Sequence, residues 1–354
     1  MKVATWSAVT STAMPDQPLL QTVGLTKHFR VGGLLSRRLL HAVDDVNLEI
    51  GAGEIVALVG ESGSGKSTIA RLMARIYEPT AGEIRFRGRP LNQLRRRSEV
   101  LEYRGRVPMV FQDPYGSLSP VYRVSHGVLR ALKLHRPALG NSAREHVAVQ
   151  LLESVGLAPG AEFLHKYPYE LSGGQRQRVG FAQALACSPE LILADEPVSM
   201  LDVSVRIGVL NLMATLRREL RVSILYITHD IASARYVADR LVVMYAGGIA
   251  ESGPTEDVLA HPKHPYTQLL LSAVPDPRAP VSLPSSTTVA EPPRVIDPGE
   301  GCRFRQRCPY AIEECTLVTP HLRLLRPAHS AACHVAASDR NEELPVEPSA
   351  ATSR

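Results

Sequence analysis

Ile55-Val-Ala-Leu-Val59, followed by Gly60-Glu61-Ser62-Gly63-Ser64-Gly65-Lys66-Ser67-Thr68 and then Ile69-Ala-Arg-Leu-Met-Ala-Arg-Ile76, decides the fold. The first five residues are all apolar and read as a buried strand. In the last stretch Ile69, Leu72, Met73 and Ile76 recur at helical spacing and predict one apolar helix face. A strand, a glycine-rich loop and a helix, in that order, are the setting a phosphate-binding loop needs. Its glycines let backbone N–H groups curl around an anion, and the helix N-terminus adds its positive end. Lys66 is expected on the β/γ-phosphates and the Ser67 hydroxyl on Mg²⁺. A glycine turn that binds nothing is the alternative; spacing and context both weigh against it.

The chain has 354 residues, room for one large α/β domain and a smaller appendage. Its 44% hydrophobic content suits a protein with a real core. A net charge of +5 fits an acidic ligand such as a nucleotide, or an anionic surface, and does not by itself argue for nucleic acid. Met1 to Met14 lack the apolar centre of a signal peptide, and no run approaches the roughly 18 apolar residues of a membrane span. The expected place is the cytosol or a membrane face reached through partners.

Residues 1–19 read as a loose terminus and 20–274 as the main domain. Strands are expected at 20–24, at 25–29, from His41 to Ile50, and from Gly82 to Gly88. The arginines from Arg85 to Arg106 read as a solvated face with an Arg-rich helix rather than a nucleic-acid patch. Val107–Phe111, Leu191–Ala194 and Ser223–Thr228 are further apolar runs. Helices are expected from Ser142, as N-cap, to Val155, from Leu171 to about Cys187, and over Val203–Leu220. Leu241 to Glu251 reads as a hairpin. Apolar strands alternating with helices predict a mainly parallel sheet covered on both faces. Residues 275–300 are rich in Pro, Ser and Thr and read as a linker; 301–334 hold four cysteines; 335–354 read as a disordered tail.

Asp195 and Glu196 end the Leu191 strand, where P-loop enzymes keep an Mg²⁺-binding carboxylate and a residue that orients or deprotonates water. Leu171-Ser172-Gly173-Gly174-Gln175 then supplies a second anion cradle at a helix start. With this LSGGQ stretch the chain resembles the ATP-binding subunits of ABC transporters, over roughly residues 20 to 255. The resemblance implies an ABC-type P-loop nucleotide-binding domain: a RecA-like parallel sheet core with antiparallel β and α-helical subdomains, here with a small Cys-containing C-terminal extension. It implies that the LSGGQ cradle closes over ATP held by a partner subunit. It makes Phe29 the adenine-stacking aromatic, and Gln112 the glutamine that senses Mg²⁺ and the transporter contact. Asp195 becomes an Mg²⁺ residue with Ser67 and Gln112, and Glu196 the catalytic base. Asp202, in Ser199-Met-Leu-Asp202, ends the D-loop, with Met200 in place of the usual alanine. His229 becomes the switch at the γ-phosphate. Taken singly, Gln112 carries no information, His229 reads as structural and Phe29 as core; order and context give them weight.

Val110-Phe-Gln-Asp-Pro-Tyr-Gly-Ser-Leu-Ser-Pro120, Tyr167 to Arg178, His264-Pro-Tyr-Thr267 and Gly301 to Pro309 resemble the oligopeptide/dipeptide permease branch. That branch implies a second ATPase subunit (a paralogue), two transmembrane permease subunits and an extracytoplasmic solute-binding protein. No nucleic acid is implied. The expected location is the cytoplasmic face of the cell membrane. The expected activity is ATP hydrolysis coupled to peptide import, acting on the membrane subunits through the surface from Gln112 to Val124. Import of nickel or another small solute is an alternative. A soluble DNA-repair-type ATPase would need a long insertion, and only 58 residues separate Gln112 from Leu171. A non-hydrolysing subunit would lack Glu196. Cys302, Cys308, Cys315 and Cys333 are spaced more widely than usual zinc pairs; a [4Fe–4S] cluster is preferred, with Zn²⁺ second and free thiols third. Cys187 reads as a buried small hydrophobe.

Overall fold

The computed structural model describes residues 17–32, 37–113, 116, 118–273 and 295–337. Residues 1–16, most of the expected linker and the tail beyond Ala337 lie outside the described residues.

In chain order the strands are β1 Leu20–Arg30, β2 Leu39–Ile50, β3 Ile55–Val59, β4 Ala81–Phe86, β5 Arg89–Pro90, β6 Met109–Val110, β7 Leu191–Asp195, β8 Ser223–Thr228, β9 Arg240–Tyr245, β10 Gly248–Pro254, β11 Arg323–Arg326 and β12 His329–Ala331. The helices are α1 Lys66–Met73, α2 Arg97–Arg106, α3 Val124–His135, α4 Asn141–Ser154, α5 Gly160–His165, α6 Gly173–Ala186, α7 Val203–Leu220, α8 Ile231–Val237, α9 Thr255–Ala260, α10 Pro265–Ser272, α11 Glu314–Leu317 and α12 His334–Ala337.

One sheet has the order β11-β12-β10-β9-β3-β8-β7-β6, and its five strands from β9 to β6 run parallel. A second sheet, β2-β1-β4-β5, is antiparallel. The parallel strands are short and apolar in their interiors because both faces are covered, and polar residues such as Asp195, Ser223, Thr228 and Arg240 stand only at their ends. Ile55, Ala57 and Val59 of β3 enter the core shared with α3, α4, α6 and α7. Val56 and Leu58, pointing the other way, enter the core shared with α1 and the antiparallel sheet. The same alternation holds in β7 and β8. No helix of the described residues is long and apolar enough to cross a membrane.

Several local expectations change. Residues 20–30 form one strand with register shifts, not two. Helix α1 stops at Met73: Arg75 takes a left-handed φ of 54°, and Ile76 and Arg75 N–H groups donate back to Arg71 and Leu72. Ile76 is therefore 48% exposed instead of joining the buried face. Gly140, not Ser142, caps α4. The apolar run at Val107 contributes only two residues of strand. Leu19, expected in the loose terminus, is buried and donates its N–H to Ile50. The far end of the expected linker is held: His41 donates to Val295 O and Asp297 to Leu39 O. The cysteine segment is not separate either, since β12 pairs with β10 and extends the large sheet.

Candidate functional site

The phosphate-binding loop leaves β3 at the C-terminal edge of the parallel sheet, where open α/β sheets present ligands. Two of its glycines are required by close approach. A Cβ on Gly60 (φ 152°) would lie 2.1 Å from Met244 O, and one on Gly65 (φ 107°) would lie 2.2 Å from Ala42 O. The loop is thus pressed between β9 and β2. Lys66 is 4% exposed and donates to Gly60 O and Glu61 O, each at 2.7 Å, and to Ser64 Oγ at 3.3 Å. Burial lowers the affinity of its ammonium for the proton, and the charges of Glu196, Asp195 and Glu61 oppose that.

β7 runs parallel to β8 and delivers its carboxylates to the same edge. Ser67 Oγ donates to Asp195 Oδ1 at 2.8 Å. Burial pushes the Asp195 carboxyl above its ordinary value, although the Ser67 hydrogen bond pulls the other way. A divalent cation at this hydroxyl–carboxylate pair would relieve the cost of burying that charge, so the donor set fits Mg²⁺. Glu196 follows in a left-handed conformation, φ 46°, fixed by its N–H donating to Ile227 O at 3.0 Å. Its carboxylate accepts from Gln112 Nε2 at 3.1 Å and lies 3.3 Å from His229 Nδ1. Lys66, Ser67, Gln112, Asp195, Glu196 and His229 therefore meet in one place.

The signature stretch lies at the start of α6. Ser172 Oγ accepts from Gln175 N–H at 3.3 Å, and Gln175 Oε1 accepts from Ser172 N–H at 3.0 Å. This reciprocal capping box fixes the helix start. Gly174 has no room for a side chain, since a Cβ would lie 2.2 Å from Val205 Cγ1 of α7. Ser172 is exposed, as are Met200 and Val203 beside Asp202, which precedes α7. Phe29 packs edge-on against Tyr77 and pairs with Leu40, two residues from the Ala42 carbonyl that seats Gly65.

The four C-terminal cysteines are free, and Cys302 N–H donates to Cys315 O at 2.7 Å. Burial raises the Cys302 and Cys333 thiols and pushes Cys308 up to about 11. No three of these sulfurs come within 4.8 Å of one another among the described residues. Cys187, donating to Gln183 O, is likewise pushed up to about 11 by burial.

Several residues of this neighbourhood escape motif reading. His28, His41 and Asp44 converge, with His28 Nε2 2.5 Å and His41 Nδ1 2.8 Å from the Asp44 carboxylate. Arg303 also binds Asp44, so the cluster is an ionic hub whose carboxylate already has cationic company. Burial pushes Asp44 up, but hydrogen bonds from His28, His41 and Arg303 outweigh it and hold the carboxyl low. Within His264-Pro-Tyr-Thr267, His264 Nδ1 caps α10 by accepting from Tyr266 N–H, and the Tyr266 hydroxyl accepts from Glu61 N–H.

Comparison with known proteins agrees with this arrangement. Residues 43–199 match the ABC transporter family, and residues 250–315 match the C-terminal region of oligopeptide/dipeptide transporters. A putative peptide import ATP-binding protein of Brucella ovis is 42% identical over 90% of this chain and 98% of its own length. The oligopeptide transport ATP-binding protein AppF of Bacillus subtilis is 40% identical over 92% of this chain and 99% of its own. Among solved structures, the ATP-binding cassette MJ0796, a dimer in a post-hydrolysis state with ADP and Pi, superposes with a TM-score of 0.59 at 30% identity. That match covers 67% of this chain and 98% of MJ0796. The chain belongs to the ABC transporter ATP-binding family and carries the C-terminal region of its oligopeptide/dipeptide branch.

Proposed function

We propose that this ABC ATPase drives import of di- or oligopeptides from the cytoplasmic face of the cell membrane. Its partners in this reading are a second, paralogous ATPase subunit, two transmembrane permease subunits and an extracytoplasmic solute-binding protein. The geometry that carries the catalytic half is the Ser67–Asp195 pair beside a Glu196 held between Gln112 and His229. The C-terminal match over residues 250–315 and the peptide-import names of the relatives support the substrate class.

The roles follow from the donors available. Lys66 exchanges its loop carbonyls for β- and γ-phosphate oxygens. Ser67 and Asp195, with Gln112, hold Mg²⁺, which when bound supplies positive charge to the phosphates. Glu196 accepts the proton of the attacking water, and His229 and Gln112 keep that carboxylate aimed. Phe29 stacks on the adenine. The N–H groups of Gly173 and Gly174, with Ser172 and Gln175, close over the γ-phosphate of the partner's ATP, and Asp202 lies at that junction. Met200 and Val203, 61% and 71% exposed, give the junction an apolar rim. A groove of about 900 Å³ lined by Gln112, Tyr122, Arg123, His126 and Arg130 suits a permease loop. It begins at Gln112, so occupancy of the groove reaches Glu196 through one hydrogen bond.

The cysteines suit a [4Fe–4S] cluster better than Zn²⁺. One zinc ion needs its four sulfurs packed about 2.3 Å from a common centre. A cluster interposes iron and sulfide and tolerates the wider spacing of Cys302, Cys308, Cys315 and Cys333.

The test is reconstitution with the permease and binding-protein subunits. Peptide-loaded binding protein should stimulate ATP hydrolysis and peptide uptake. Stimulation by nickel alone, or hydrolysis indifferent to every peptide, would overturn the substrate assignment. Visible absorbance with stoichiometric iron in anoxically purified protein supports the cluster; a colourless protein carrying zinc rejects it.

A further inference from the structure

The cysteine segment touches the phosphate-binding loop. Residues 302–308 form a tight turn, with Arg305 N–H donating to Cys302 O and Arg307 N–H to Phe304 O. Phe304 is 2% exposed and packs edge-on against Tyr245. The Arg307 guanidinium lies 5.8 Å from the ring centres of both Tyr245 and Phe304. From there its two terminal nitrogens donate to the two carboxylate oxygens of Glu61, each at 2.9 Å. The Tyr266 hydroxyl accepts from the Glu61 N–H at 2.9 Å, so side chain and backbone are both held. Glu61 O in turn accepts from Lys66 Nζ. A continuous chain of polar contacts therefore runs from the cysteine turn to the phosphate-binding lysine.

Glu61 is an awkward residue for its position. A carboxylate in the second place of a triphosphate-binding loop repels the ligand. A bidentate guanidinium cancels that charge and also fixes its direction. The ion pair is mostly buried, its two side chains 14% and 24% exposed, so solvent screens it less than a surface pair.

We propose that Arg307 is a positioning residue of the ATP site: it neutralises Glu61 and fixes the first turn of the phosphate-binding loop. The cysteine segment thereby sets the affinity of a site it does not itself line.

Arg307→Ala, Arg307→Lys, Glu61→Gln and the double variant Arg307→Ala/Glu61→Gln test this in the full chain. Binding is read with a fluorescent ATP analogue, and KM and kcat in the assembled transporter. Arg307→Ala should weaken nucleotide binding and raise KM about tenfold, roughly 1.4 kcal/mol, with kcat held within about twofold. Arg307→Lys should recover part of the loss, because it restores charge but not the fork. Glu61→Gln should rescue Arg307→Ala to within about threefold of the native affinity, which a merely structural arginine would not allow. Native affinity in a folded Arg307→Ala protein, or failure of Glu61→Gln to rescue it, overturns the proposal. If Arg307→Ala does not fold, Arg307→Gln keeps a planar head between the rings without the charge and is read by the same criteria.

Discussion

The two ends of the proposed nucleotide site are built on opposite plans. At the phosphate-binding end, Lys66 is almost wholly buried and uses all three ammonium donors on Gly60, Glu61 and Ser64. Ser67 is paired with Asp195, and Glu196 is held by Gln112 and His229. At the signature end, Ser172 is exposed, Gly173 and Gln175 are half-buried, and Met200 and Val203 are more exposed than buried. The side chains of the first end all come from one chain and already contact one another. The second presents a preformed helix N-terminus and apolar side chains, the form expected of a surface that works only against another molecule.

The largest effect is expected at Glu196. Glu196→Gln should keep nucleotide binding and lower turnover about 10²–10⁴-fold, read as phosphate release. Undiminished turnover would remove the base from the account. Lys66→Ala should weaken nucleotide binding in the isolated chain and cost about 10²–10³-fold in turnover, because a preorganised cation facing the phosphates is lost. The smallest effect concerns pH and lies away from both ends. Burial lowers His264 from about 6.5 in the unfolded chain to about 4 in the fold, against the pull of Glu251. Glu251 lies on the same buried network, bonded to His329 and to the His264 N–H. Between these values the unfolded chain takes up a proton that the folded chain refuses. His264 therefore contributes stability above pH 6.5 that is lost as pH falls toward 4, about 3 kcal/mol in all. His264→Gln should flatten the fall of the unfolding midpoint across that window; an equally steep fall would reject the assignment.

The contrast also explains what could be read from the chain in advance. Strands such as Ile55–Val59 and Ser223–Thr228 are legible because a doubly covered parallel strand is apolar through its interior, here Ile55–Val59 and Ile224–Ile227. The phosphate loop, Asp195, Glu196 and the signature are legible because their spacing follows from the ligand. Helix α3 carries Val124, Val128 and Leu132 at helical spacing, a signal present in the sequence that motif reading passes over, whereas the exposure of Ile76 follows from a left-handed Arg75 that ends α1 early. The partners of Glu61 and Asp44 were illegible for a different reason. Arg307 lies 246 residues from Glu61, and Arg303 lies 259 from Asp44, so no local period could announce them. They depend on β12 joining the sheet edge, a non-local pairing of a three-residue strand.

The central claim is that one ATP is shared between the phosphate loop of one subunit and the signature of another. The most direct measurement compares Glu196→Gln with Glu196→Gln/Ser172→Arg, each assembled with its partner ATPase subunit, for nucleotide binding and for ATP-driven closure measured by inter-subunit distance. The account predicts equal nucleotide binding by the variant chain's own phosphate loop in both, and closure only with Ser172 intact. Closure that is indifferent to Ser172, or nucleotide binding in that loop lost along with it, would contradict it.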